Sequence, residues 1–334
     1  MRLATDPSIA LQWLQALSSA NWQIDSRLIG PGDVFVAWPG ASRDGRAFVN
    51  AALQAGASAC LVEAEGWHAV TGHADWDDRV IAVPGLKAAL GGMVSARWQH
   101  PSHAVKVVAI TGTNGKTSTA WWAAQWLQAM GLNSLVAGTL GMGSPGGAWQ
   151  YTGLTTPDPV AWQQKLRDWR DQAGRLAVVE ASSIGLQQGR LNGTRIDTAV
   201  FLNFTQDHLD FHGTMDAYWA AKAMLFDWPA LRLAVINVDD PKGMELAQRL
   251  QAQADDNALE VWTLSARSNR ARLSILQTEH TETGMRLTVQ WVSSPSGVLQ
   301  QGVMNVPFVG DYNRYNLLAA LAVAAGLVGG MLLL

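Results

Sequence analysis

Lys116 and Thr117 close a run, VKVVAITGTNGKT over residues 105–117, in which a β-branched segment feeds a Gly-rich turn. A strand entering such a turn, with helix-compatible sequence behind it, is the arrangement that holds nucleotide phosphates, because backbone N–H groups and the helix N-terminus face the anion. Gly112, Thr113, Asn114, Gly115, Lys116 and Ser118 are the expected cradle. In it Lys116 neutralises β/γ charge and the Thr117 hydroxyl sits on Mg²⁺. The general pattern GxxxxGK[ST] asks for glycine at position 110, which is Ile110. The tighter form here, TGTNGKT, is less general and more diagnostic. GKT directly behind a buried strand also separates it from an ordinary strand–helix connection.

Other residues of useful chemistry lie at later strand ends. Glu180 ends LAVVE, where open α/β sheets present ligand groups, and an acid there is the natural second holder of Mg²⁺. Ser182 and Ser183 add hydroxyls beside it. NFTQDHLDFHGT, residues 203–214, packs Asp207, His208, Asp210 and His212 into a few positions. Mg²⁺ prefers oxygen, so a histidine there implies a less demanding second metal or an orienting role. Lys222 lies among apolar neighbours in YWAAKAMLF, and spacing alone reads it as a partly buried stem with a solvated head. Thr155-Thr156-Pro157 and Gln188-Gly189-Arg190 are polar loop groups expected at the same face, and Arg190 can fork onto a carboxylate or phosphate. DYNRYN, residues 311–316, opens the last helix, where asparagines serve as N-caps or read a base edge.

The elements that must position these groups alternate. The pattern predicts a helix over 1–17, strands over 34–37, 60–63 and 80–83, and a helix around 47–55: a small α/β unit ending near residue 85. A helix over 86–98 leads to the phosphate-loop strand. Helices follow over 118–130, 160–173, 214–226 and 241–251, with strands over 134–137, 176–180, 198–201, 233–237 and 259–263. Near-continuous apolar strands such as LAVV and LAVIN fit a parallel sheet covered on both faces. Period-2 patterning over 271–306 predicts an antiparallel meander. The fold class is α/β: a domain over 1–85, then a central P-loop ATPase domain over 86–334 with a mainly parallel sheet flanked by helices.

Composition narrows the classes. The 334 residues are 48% apolar and 15% charged, which describes well-buried globular protein. A net charge of −3 with no basic block, and tryptophans spread along the chain, give no nucleic-acid footprint. The single cysteine, Cys60, excludes a disulfide framework and suits a reducing cytoplasm. Residues 317–334 form an uncharged stretch just long enough to be weighed as a membrane span. Its glycines and the lack of a flanking Lys/Arg cluster favour a buried helix, with no membrane as partner.

In order along almost the whole chain, DSRLIGPGDVFVAWPG, RDGRAF, AITGTNGKTS, TTPD, EASSIGLQQGR, NFTQDHLDFHG, AAKAMLF, VINVDD and GDYNRYN resemble the Mur ligases. The DSR…PGDVFVA opening and TTP with SSxGLxQxR point to the MurE-type branch. The resemblance implies a monomeric, cytoplasmic, ATP- and Mg²⁺-dependent amide ligase of peptidoglycan synthesis. It would join a diamino acid, usually meso-diaminopimelate, to UDP-MurNAc-L-Ala-D-Glu through an acyl phosphate. The small N-terminal domain is then UDP-binding, with Ser26 and the loop Ala41, Ser42 and Arg43 at the uridine end. Thr155, Thr156, Ser182, Gln188 and Arg190 would hold the muramoyl dipeptide. Thr117 and Glu180 would bind Mg²⁺, with His208 near a second ion and Asn313 and Asn316 near adenine. Lys222 would be carbamylated, an anionic metal ligand or orienting group, and with Lys116 and His208 it completes the expected catalytic set.

The chain departs from the family's pattern at Leu154, where asparagine is usual, at Ile184, where histidine is usual, and at 41–43, where some members carry His-Gln-Ala. The family's third domain, which closes over ATP and binds the diamino acid, would begin where this sequence stops, so completed ligation is not expected of these residues alone. Two other readings remain open: a folylpolyglutamate-synthetase-like ligase, and a non-catalytic nucleotide-binding or regulatory protein.

Overall fold

A computed structural model describes residues 2–15, 21–40, 43–67, 78–253, 259–292 and 297–327. It divides into two compact units. The first comprises the chain up to His100 together with Asp158–Gln164 and Leu191–Thr194; the second comprises Pro101–Pro157, Lys165–Arg190 and everything from Arg195 onward.

The first unit is built on a five-stranded parallel sheet in the order β1-β5-β4-β3-β2. Its middle strands β3 (Val34–Ala37), β4 (Ala59–Glu63) and β5 (Val80–Val83) are buried along their whole length. That matches the uninterrupted apolar runs VFVA, ACLV and VIAV. The edges β1 (Arg2–Leu3) and β2 (Trp22–Gln23) are two residues each, too short to leave a pattern. The expected N-terminal helix begins only at Pro7: α1 (Pro7–Leu14) has Pro7 in its first turn, and the Asp6 carboxylate accepts from Ser8 N–H at 2.7 Å as N-cap. After β3 comes α2 (Val49–Gln54). The division expected after residue 85 falls instead at His100. The helix α3 (Leu86–Arg97) buries Leu86, Leu90, Met93 and Val94 in the same core as Leu14, Val34 and Leu61, so it belongs to the first unit.

The second unit carries a ten-stranded sheet in the order β15-β14-β13-β12-β11-β10-β6-β9-β7-β8. Six central strands run parallel: β6 (Lys106–Thr111), β7 (Ser134–Gly138), β9 (Leu176–Glu180), β10 (Thr198–Phe201), β11 (Leu233–Asn237) and β12 (Glu260–Ser265). The meander β13 (Leu273–Thr281), β14 (Gly284–Val292) and β15 (Leu299–Val306) is antiparallel, as its alternating pattern predicted. The hairpin strand β8 (Gly141–Gly143), on the β7 edge, was not foreseen. Helices α4 (Lys116–Ala129), α5 (Pro159–Asp171, of which only the part from Lys165 belongs to this unit) and α9 (Pro241–Gln253) connect the strands. Two short helices the pattern did not predict, α6 (Ser183–Gln187) and α7 (Leu209–His212), sit in the loops behind β9 and β10, with α8 (Met215–Ala223) following.

The last helix, α10 (Asp311–Leu327), packs on α4 and on β11, β12 and β13 and buries every residue from Asn316 to Ala325. Its apolar composition is thus explained by core packing, and among the described residues no helix is long and apolar enough to cross a membrane. The final residues of the apolar stretch, 328–334, lie outside the described residues.

Candidate functional site

Strand β6 lies between β9 and β10, so its carboxyl end is a point where the chain turns to opposite sides of the sheet, the place where open α/β sheets bind ligands. The phosphate loop sits there. Gly115 precedes α4 with φ +87°, a left-handed value that glycine adopts without strain, and a Cβ at this position would collide with Asn316 Oδ1. Asn114 is locked in both directions by Asn203: its N–H donates to Asn203 Oδ1 at 2.8 Å, and Asn203 Nδ2 donates to its carbonyl at 3.1 Å. The Thr113 hydroxyl donates to Thr205 O at 3.1 Å and stands 3.1 Å from the Tyr218 hydroxyl.

Two lysines meet on one carbonyl. Lys116 Nζ donates to Gly112 O and Thr113 O, both at 2.9 Å, and Lys222 Nζ donates to Gly112 O at 2.9 Å. Lys222 is 1% exposed and its Nζ lies 4.5 Å from the centre of the Tyr218 ring. The solvated head expected from spacing alone is therefore wrong: α8 directs the whole side chain inward onto the loop. Burial, with Lys116 adding repulsion and Asp207 opposing, lowers the Lys222 pKa from 10.5 to about 7. Burial also lowers that of Lys116, against the pull of Glu180 and Asp207.

Glu180 is 1% exposed at the end of β9. The Thr117 hydroxyl donates to its Oε2 at 3.0 Å, and Thr139, just beyond β7, gives its N–H to Oε1 at 2.9 Å. Burial raises the Glu180 pKa, and the Thr139 and Thr117 hydrogen bonds and the Lys116 charge work against that rise. Hydroxyl and carboxylate form an all-oxygen pair beside the phosphate loop, and positive charge there would offset the burial that raises the carboxyl pKa. Among the described residues no group of three or more His, Cys, Asp or Glu can hold a metal by itself. Thr117 and Glu180 thus fit a partial shell completed by phosphate and water, as suits Mg²⁺.

His208 is not brought to that pair. It caps the short α7 in a left-handed conformation, φ +50°, and its imidazole faces Asp207 at 3.6 Å and the Tyr218 ring at 6.1 Å. His212 is buried instead, with Nε2 2.9 Å from Ser183 Oγ and its ring 5.1 Å from that of Tyr218; burial lowers its pKa.

Thr156 is fully buried, donating to Glu180 O at 2.7 Å and accepting from Ser182 N–H at 2.9 Å. Ser182 Oγ caps α6 by accepting from Gly185 N–H at 3.0 Å. The Arg190 guanidinium donates to Thr156 O at 2.8 Å and to Gln188 Oε1 at 2.7 Å. These groups form one connected polar cluster in which Thr156 builds the loop, while the Thr155 hydroxyl stands 3.2 Å from that of Thr139. Leu154, at one departure, accepts through its carbonyl from the Thr152 hydroxyl at 3.1 Å.

Beside the phosphate loop opens a cleft of about 890 Å³ lined in part by Asn114, Gly115, Ser118, Asp239, Tyr312 and Asn316. Asn316 is buried at its floor, whereas Asn313 turns away, its Nδ2 donating to Val309 O at 2.8 Å. Sequence reasoning missed Thr139, Tyr218 and Asn203, none of which stands in the phosphate loop itself.

In the first unit Ser26 opens a 3₁₀ turn capped by Asp25, whose carboxylate pairs with Arg27 at 2.6 Å. Arg43 is exposed, and its carbonyl accepts from Gly40 N–H at 2.9 Å. Ala41 and Ser42 lie outside the described residues.

A phosphate loop behind the central strand of a mainly parallel sheet, an acid at the neighbouring strand end and a cleft alongside define a P-loop-type nucleotide-binding α/β protein. The Mur ligase middle-domain model matches residues 110–324 and the Mur ligase catalytic-domain model residues 20–98, and the chain belongs to the Mur ligase family. It is 48% identical over 320 residues to the UDP-N-acetylmuramoyl-L-alanyl-D-glutamate–2,6-diaminopimelate ligase of Acidovorax sp. (strain JS42), covering 94% of this chain and 61% of that protein. A solved structure of such a ligase, 31% identical, superposes with a TM-score of 0.74 over 92% of this chain and 60% of its own. The folylpolyglutamate synthase of Mycobacterium tuberculosis, complexed with ADP and AMPPCP, shares the fold: TM-score 0.56, 19% identity, 72% of this chain and 58% of that one. The chain thus spans about six-tenths of the length of the relatives it matches.

Proposed function

We propose that the chain serves ATP-dependent amide ligation of the MurE kind, with UDP-MurNAc-L-Ala-D-Glu as acceptor and diaminopimelate as incoming amine. The observation that carries this reading is the meeting of Lys116 and Lys222 on the Gly112 carbonyl beside the Thr117–Glu180 contact. A carboxylate is a poor electrophile. Its oxygen attacks the γ-phosphorus of ATP, the bond to the bridging oxygen breaks, and ADP leaves with that electron pair. The amine then attacks the acyl carbon, phosphate departs, and the amine gives up a proton as the amide forms.

Lys116 serves the charge on the transferring phosphoryl group, which an ammonium in a water-poor site stabilises strongly. Thr117 and Glu180 would hold Mg²⁺, which would supply positive charge to offset that of the phosphates. A lysine with a pKa near 7 is largely unprotonated just above neutrality, and only the free amine reacts with CO₂. This supports carbamylation of Lys222, in which the neutral amine adds CO₂ and releases one proton, leaving an anion near Lys116. Thr155 and the Ser182–Gln188–Arg190 cluster take the muramoyl dipeptide, Asn316 the nucleotide side of the cleft, and Ser26 and Arg43 of the first unit the uridine end. His208 and Asn313 are retained for ligand contacts their exposure allows.

Titration with a fluorescent ADP analogue tests the nucleotide reading. Loss of a charge-assisted contact of about 1.5–3 kcal/mol predicts about 10–100-fold weaker binding for Lys116→Met. Equal affinity in the two proteins contradicts it.

A further inference from the structure

Thr139 has one side-chain proton and two claimants for it. Its hydroxyl lies 3.3 Å from Glu180 Oε2 and 3.2 Å from Thr155 Oγ1, and a threonine hydroxyl donates to one acceptor at a time. The backbone is not part of that choice: Thr139 N–H stays on Glu180 Oε1 at 2.9 Å. Gly138 presses the strand end against the carboxylate so closely that a Cβ there would collide with Oε1. Oε1 is therefore fixed, and Oε2 is the oxygen left for exchangeable partners, the Thr117 hydroxyl at 3.0 Å being the other.

We propose that Thr139 is a positioning residue whose hydroxyl couples occupancy of the Glu180–Thr117 oxygens to ligand binding at Thr155. With Oε2 open, the charged acceptor takes the Thr139 proton, since hydrogen bonds to an ionised oxygen are the stronger ones. The Thr155 hydroxyl then points its own proton back toward Thr139 or to solvent. Once Oε2 is engaged by a divalent cation on a nucleotide, the Thr139 proton turns to Thr155 Oγ1. Thr155 thereby has its proton oriented outward, toward a ligand acceptor. By linkage the two ligands must strengthen each other by the same factor. The inference rests on the reading of Glu180 and Thr155 given under the proposed function.

The test is the affinity of the 334-residue chain for UDP-MurNAc-L-Ala-D-Glu by isothermal titration, with AMPPCP present, with and without Mg²⁺. The wild type is expected to bind about two- to tenfold tighter with Mg²⁺, the effect of one hydrogen bond. Thr139→Val keeps the backbone donor and loses the hydroxyl, so its ratio should fall to one; Thr139→Ser should restore the wild-type ratio. Melting temperatures of the three proteins, measured alongside, identify any variant that has lost its fold. A folded Thr139→Val that keeps the full ratio, or a folded Thr139→Ser that loses it, overturns the coupling. So does a wild type that binds both ligands with a ratio of one. A wild type that binds neither ligand overturns the proposed function and the coupling with it.

Discussion

Lys222 shows how far a residue's chemistry is set by where its helix sends it. Nothing in YWAAKAMLF specifies that the amine will end on the carbonyl of Gly112, a contact made across a long stretch of chain. Spacing therefore read a solvated head, and only resemblance to a family suggested otherwise. Thr139 was illegible for a related reason, because its neighbours Glu180 and Thr155 come from another strand end and another loop. That Lys116, Thr117 and Glu180 would lie together was legible, by contrast, because loop sequence and strand end fix them locally. The lowered Lys222 pKa has a stability consequence. Between about 7 and 10.5 the unfolded chain binds a proton at this site that the folded chain does not, so stability rises with pH across that window and the contribution is flat below it. In CO₂-free, metal-free buffer, Lys222→Met should flatten the rise in melting temperature that the wild type shows over that window. An unchanged slope contradicts a buried amine.

At the scale of elements, continuous apolar runs announced the central strands of both sheets, because a strand covered on both faces has no polar side to show. The two-residue edges β1 and β2 and the glycine-rich β8 carry no such run. The short helices α6 and α7 are fixed by Ser182 capping and by the left-handed His208 rather than by periodicity. The apolar α10 was weighed as a membrane span and read as a buried helix, and over its described residues its packing bears that out. It owes its composition to α4 and the sheet, with Leu318 fully buried among them. Leu318→Ala should cost about 2–5 kcal/mol of unfolding free energy, the usual range for a cavity in a packed core, read from the denaturant midpoint. A change within about 0.5 kcal/mol, the size of a surface substitution, contradicts that packing.

At the scale of the whole molecule, each compact unit carries its own sheet and core, and the family matches at 20–98 and 110–324 follow that division except at Asp158–Gln164 and Leu191–Thr194. The shift of α3 into the first unit was not visible in sequence, because a helix between two sheets is amphipathic whichever core it joins. The fold is shared with folylpolyglutamate synthase, so fold alone does not choose the acceptor. In the proposed function that choice belongs to the N-terminal unit and the Thr155–Arg190 cluster. The most direct measurement is a paired titration of the chain with UDP-MurNAc-L-Ala-D-Glu and with a folate, each in Mg²⁺ and AMPPCP. Saturable binding of the UDP-dipeptide and none of the folate is the predicted result; binding of the folate, or of neither, contradicts the account.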